Sequence, residues 1–143
     1  MFREKYYRAT LKQMNRVNLI EIVCTVLILI ILTALMYPNY RSHILKAHRT
    51  SAMSDLTQLQ LELEQHHKKG YLEISKKLIG PDGMCHLCKT EPDRFALSIL
   101  VEEYGYSIIA QAKGEQLTDH CSGESYQYLS LNHRGETFPE HCW

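Results

Sequence analysis

VNLIEIVCTVLILIILTALMYPNY, residues 17–40, decides how the remaining sequence is read. From Ile22 to Tyr37 the run is apolar apart from two threonines, and from Val17 it holds 21 residues, about 31 Å of helix at 1.5 Å per residue. That length crosses a bilayer. The preceding 16 residues carry Arg3, Lys5, Arg8, Lys12 and Arg16 against the single acid Glu4, a bias that keeps this end in the cytoplasm. A cleaved secretory signal is disfavoured, because the run exceeds a typical signal core and Tyr37-Pro38-Asn39 lacks the small-residue cleavage pattern. The body beyond the run therefore stays tethered to the membrane.

Of the 16 bases and 16 acids, five bases lie in the leader and two acids, Glu4 and Glu21, lie at or before the run. The body keeps 11 bases against 14 acids, about −3, so its overall charge does not support nucleic acid as a partner. Of five cysteines, Cys24 sits in the apolar run, where it reads as a small packing residue. The other four, Cys85, Cys88, Cys121 and Cys142, lie in the exported body, where an even count suggests two disulfides with three conceivable pairings.

Pro38 is expected to kink the helix without ending it. Beyond it, Asn39 to Lys69 reads as a continuing helix. Leu45, Ala52, Leu56, Leu59 and Leu63 form one apolar stripe at separations of seven, four, three and four. Arg41, Lys46, Arg49, Asp55, Glu62 and Lys69 fall mostly off that stripe, and Gly70 suits a helix C-cap. Tyr71 to Pro92 shows no sustained period and reads as a loop with one short helical turn, Gly80-Pro81-Asp82-Gly83 marking a turn within it. The period then becomes two in Arg94–Val101 and Tyr106–Ala112, a hairpin, with a third strand at Gln127–Asn132. The expected class is α+β, a long helix covering a small antiparallel sheet of three or four strands.

Glu21 lies among the first turns of the membrane helix, where an ionised carboxylate is costly unless it is paired or reaches the headgroups. Its context is specific. Val17-Asn18-Leu19-Ile20-Glu21, the apolar run, and Tyr37-Pro38-Asn39-Tyr40, with Pro38 placed 17 residues after Glu21, resemble the class III signal of type IV pilins. Tyr106-Ser107-Ile108-Ile109-Ala110, Asp119-His120-Cys121, Leu129-Ser130-Leu131-Asn132, Gly135 and the terminal Cys142-Trp143 resemble the C-terminal half of PilE-like minor pilins. Tyr71 to Pro92 matches poorly.

The resemblance implies a ladle-shaped filament subunit with a leader (1–16), a membrane half of the helix (17–38) and a periplasmic head (39–143). It implies processing at Arg16–Val17 by a prepilin peptidase, and assembly and register through Glu21, which would pair with the new amine of a neighbour's Val17. The family carries glycine at the position of Arg16, and an uncut chain would have no amine at Val17 to offer. The resemblance also implies a Cys121–Cys142 staple, stabilising by roughly 3 kcal/mol. Implied partners are other pilins and minor pilins through the helical core, the peptidase and an inner-membrane assembly platform. The destination is the inner membrane and then the pilus surface, in support of adhesion, twitching motility or DNA uptake. Two other readings stand beside it: a pseudopilin of a type II secretion system, and an uncleaved single-pass membrane protein with a periplasmic binding head, favoured by Arg16.

Other chemistry is sparse. Cys85-His86-Leu87-Cys88 admits a redox pair, half of a zinc site, or a short disulfide bracing a loop, and the disulfide is the plain choice. His66-His67-Lys68-Lys69 most simply complements the negative end of the helix. Some pilins bind DNA through basic head surfaces, which here would enlist that cluster with Lys76 and Lys77. Tyr104, Tyr106, Tyr126 and Tyr128 suit cross-strand packing. Asp82, Asp93 and Asp119 read as scattered turn acids. No nucleophile with its base, phosphate loop or cofactor motif is present, so a structural subunit is expected, with no cofactor and no metal.

Overall fold

The computed structural model describes residues 19–143; the leader 1–16 and the Arg16–Val17 position lie outside the described residues. Contacts divide the chain into two units, one ending at Arg41 and the other running from Ser42 to Trp143. Helix α1 spans Leu19–Gln65, 47 residues. Up to Arg41 its apolar side chains are exposed within the chain, and this helix is long and apolar enough to cross a membrane. The Thr25 hydroxyl donates to the carbonyl of Ile22 at 2.8 Å, and that of Thr33 to Leu29 at 3.0 Å, so neither needs water along the run. Pro38 lies inside the helix.

Within the second unit, the stripe of α1 is Leu45, Arg49, Ala52, Leu56, Leu59 and Leu63, all buried. Arg49 fills the seven-residue gap in the apolar pattern. It and Asp55 are only 8% and 2% exposed, which corrects their reading as off-stripe surface charges. Their burial rests on partners from distant segments, which periodicity cannot reveal.

After α1 come a 3-10 turn, His67–Lys69, and a second helix α2, Tyr71–Leu78. Of the stretch Tyr71–Pro92, read as a loop with one short helical turn, the first eight residues form this helix and the rest is irregular. The helix's buried positions Ile74, Ser75 and Leu78 are too few to build a visible period. Gly70, with φ +89°, joins the two pieces in a conformation that side chains disfavour.

Strands β1 (Phe95–Glu102) and β2 (Gly105–Ala112) form the hairpin, in register from Phe95 opposite Ala112 to Glu102 opposite Gly105. Next come β3 (His120–Cys121), β4 (Glu124–Ser125), β5 (Tyr128–Asn132) and β6 (Thr137–Phe138). The main sheet has the order β1-β2-β5-β6, and β3 with β4 makes a separate two-stranded ribbon. The ribbon turns through Ser122 and Gly123, φ 51° and 89°, the signs a two-residue type I′ turn demands.

One face of the sheet supplies Phe95, Leu97, Tyr106, Ile108, Ala110, Ala112, Leu129 and Leu131 to the same core as the stripe of α1. Polar contacts lock that packing. Gln60 Nε2 donates to the Asn132 carbonyl at 3.0 Å, and the Tyr106 hydroxyl donates to Glu64 Oε1 at 2.6 Å. Tyr106 packs edge-on to Tyr71 and to His133. Glycine is required at 105, because a Cβ there would overlap the His133 ring.

Candidate functional site

The α1–β1 connection opens with a dense run of basic residues. Residues 66–77 contain His66, His67, Lys68, Lys69, Lys76 and Lys77 against one acid, Glu73. In α2 the apolar Ile74 and Leu78 face inward, and the 3.6-residue period therefore leaves Leu72, Glu73, Lys76 and Lys77 exposed together. None of the four lysines lies within 4.0 Å of a carboxylate among the described residues. A groove of about 530 Å³ opens beside them, with His66, Lys69, Lys77, His86, Glu62 and Glu73 on its walls and Ile74, Leu78 and Leu87 beneath.

The far wall of this groove is held by α1. Gly80-Pro81-Asp82-Gly83 closes on a Gly83 N–H to Gly80 carbonyl bond of 2.9 Å, with the Met84 N–H donating to Asp82 Oδ1. Cys85 and Cys88 are joined in a disulfide across the next turn, Cα atoms 5.4 Å apart, which presents His86 and Leu87 to the groove. Buried Asp55 then grips the exit. Its Oδ2 accepts the N–H of Lys89 at 2.9 Å, the N–H of Thr90 at 2.7 Å and the Thr90 hydroxyl at 2.5 Å.

A second buried centre ties the segment after β2 to α1. Asp119 Oδ2 accepts from Arg49 Nη1 at 2.7 Å, from the Tyr126 hydroxyl at 2.8 Å and from Gln116 Nε2 at 3.1 Å. Gln116 also reaches the Leu45 carbonyl, and the Arg49 guanidinium lies 5.9 Å over the Tyr126 ring. Asp119 is therefore no scattered turn acid; it is 5% exposed and organises three other side chains. Burial raises the Tyr126 hydroxyl above the usual tyrosine range. Burial, then the bond to Glu64, does the same to Tyr106. A hydrogen bond to Glu115 raises the Arg94 guanidinium, which is already a permanent cation.

With this geometry in view, the family described as "Type IV minor pilin ComP, DNA uptake sequence receptor" matches residues 38–125. The chain belongs to that type IV minor pilin family. No curated protein and no solved structure matches it significantly. It is a membrane-anchored pilus protein of a structural family, with the long helix and antiparallel sheet of a pilin.

The matched span begins at Pro38, so the signal-like segment before it lies outside, while both the cationic groove and the Asp119 centre lie within. Glu21 sits in the first turn of the pilin's α1, exposed, and Cys24 is a free exposed thiol one turn later. Cys121 and Cys142 are bonded, Cα atoms 5.1 Å apart, pinning the C-terminal 3-10 turn Glu140–Cys142 to β3. Of the tyrosines, Tyr106 and Tyr126 are buried and Tyr128 packs on Phe138 across β5 and β6 at 5.3 Å. Tyr104 instead stands 86% exposed at the hairpin tip, because the two-residue connection carries it past the sheet. Among the described residues no group of three or more His, Cys, Asp or Glu could hold a metal ion. Sequence reasoning missed Arg49, Asp55, Gln116 and Asp119 as an internal scaffold; the gap in the apolar stripe at position 49 was the one signal for it.

Proposed function

We propose that this minor pilin is a DNA receptor of a type IV pilus, and that its head meets DNA through Lys68, Lys69, Lys76 and Lys77 with His66 and His67. The observation that carries this reading is the family match over residues 38–125, whose description is a DNA uptake sequence receptor and whose span contains the whole cationic strip. The net acidity of the head is no obstacle. Polyanion binding depends on local cation density, and among the described residues none of these four lysines is ion-paired to a carboxylate. Lysine contacts of this kind position a phosphate backbone, and Glu73 with the groove histidines His66 and His86 supplies hydrogen-bonding groups of the type that read base edges.

The reading includes the pilin life cycle. The N-terminus starts in the cytoplasm with the head in the periplasm, the peptidase cuts at Arg16–Val17, and the subunit joins the filament through α1 with Glu21 setting register. It is non-catalytic and needs no cofactor.

The test replaces Lys68, Lys69, Lys76 and Lys77 by Gln and measures binding of duplex DNA to the full chain in detergent across a salt series. Affinity should fall at least tenfold, and the salt slope should decrease by about 0.9 for each lysine that contacts a phosphate. Unchanged binding and slope would remove the strip from the reading.

A further inference from the structure

A second groove, of about 630 Å³, lies in the C-terminal part of the head and has the opposite character. Tyr128 of β5 and Phe138 of β6 form its aromatic shelf, with ring centroids 5.3 Å apart, tilted by 31°, and 37% and 52% exposed. Glu124 of β4 and Glu140 of the last 3-10 turn bring carboxylates from two different elements, and Gln127 adds an amide. No lysine or arginine lines it; His141, 3.6 Å from Glu124, is the one basic group. It shares no residue with the cationic groove, and most of it lies beyond the family match, which ends at Ser125.

We infer that this groove is a docking site for an arginine-bearing segment of a neighbouring pilus subunit. Each half of the site asks for the same group. An exposed aromatic face attracts a cation, and a guanidinium additionally stacks flat on it. Carboxylates beside the shelf accept the fork of guanidinium N–H donors, and a lysine ammonium can neither stack nor fork. The two carboxylates repel a phosphate backbone, so DNA is the wrong occupant. The head thereby separates its two partners by charge: polyanion on the lysine strip, cationic protein on the aromatic groove. This inference stands apart from the DNA reading.

The site is bounded by short elements that are braced independently of any occupant. β6 pairs with β5, Phe138 opposite Ser130, and the Cys121–Cys142 bond fixes the 3-10 turn that carries Glu140. A groove held open in this way spends little free energy on ordering when a partner enters.

The test uses the full chain in detergent and fluorescence anisotropy of labelled tetra-arginine, with tetra-lysine and tetra-glutamate as comparisons. Tetra-arginine should bind at least tenfold more tightly than tetra-lysine. Phe138→Ala, and separately Glu124→Gln with Glu140→Gln, should each weaken it tenfold or more. Glu102→Gln with Glu103→Gln at the hairpin tip should change nothing, and a cooperative urea transition of the Phe138→Ala protein would show a folded head. In cells, a photocrosslinker at position 138 should join the chain to a pilus subunit at an arginine-bearing segment. Equal loss from the tip variant, equal binding of tetra-lysine, or crosslinks only to a segment without arginine or to a glycan would each overturn the inference.

Discussion

Arg49 Nη1 on α1 lies 2.7 Å from Asp119 Oδ2, 70 residues later in the chain, and both side chains are buried. A charge pair in that setting is costly to break from one side, because the survivor keeps its burial and loses its counter-charge. Arg49→Ala or Asp119→Ala should therefore each destabilise the head by about 3–5 kcal/mol. Arg49→Met combined with Asp119→Leu should cost less than either single change. Urea unfolding of the four proteins checks both statements.

Asp55 offers a more local result. One carboxylate oxygen accepts three bonds from Lys89 and Thr90, and bonds to a charged acceptor contribute about 1.5–3 kcal/mol each at most. Asp55→Ala should lower stability by roughly 2–3 kcal/mol and loosen the wall of the cationic groove. Amide hydrogen exchange over residues 84–90 should accelerate while the β1–β2 hairpin keeps its protection; uniform acceleration would mean that Asp55 braces the whole head instead.

The two disulfides should differ in weight. Cys121–Cys142 closes a sequence separation of 21, against 3 for Cys85–Cys88. On the chain-entropy account the longer loop contributes about 3 kcal/mol and the shorter about 2 kcal/mol. Replacing the pairs by alanine, one at a time, and comparing urea midpoints tests the order.

Alkaline pH should weaken the head. Tyr106 and Tyr126 have their hydroxyls raised above the ordinary value of about 10. Above that pH the unfolded chain loses these protons while the folded chain retains them, so stability falls as pH rises. Their contribution is fully present below about pH 10. Urea midpoints should hold level from about pH 8 to 9 and slope downward from about pH 10 to 11, and Tyr106→Phe with Tyr126→Phe should flatten that slope.

Processing is checked by the N-terminal mass of the membrane-extracted protein from cells with and without the prepilin peptidase. Loss of residues 1–16 only where the peptidase is present is the expected outcome. Glu21→Ala should then abolish incorporation into pili while leaving the protein in the membrane. An intact leader in both strains would leave Glu21 with no Val17 amine to meet.

The parts of the fold visible in the sequence were those governed by periodicity. Leu45, Ala52, Leu56, Leu59 and Leu63 announce a helix, and the alternation from Phe95 to Ala112 announces a hairpin. What stayed hidden depends on long-range partners or on brevity. Nothing local distinguishes Asp119 from a solvated turn acid until Arg49 is brought beside it. Strands β3, β4 and β6 have two residues each, and α2 has eight, below the length at which a period can be recognised. The cationic strip was legible as composition, but the net charge of the head averages over its local cation density, six basic side chains against one acid in residues 66–77.

The Cys121–Cys142 bond also has a mechanical meaning for a membrane-anchored pilus protein. Its ends are 21 positions apart in sequence, roughly 70 Å of chain if drawn straight. Load applied to the head cannot pay out that length. The C-terminal ribbon, the aromatic groove and the final turn lie inside that closed loop, so under tension they move as one cross-linked parcel and cannot be drawn out strand by strand.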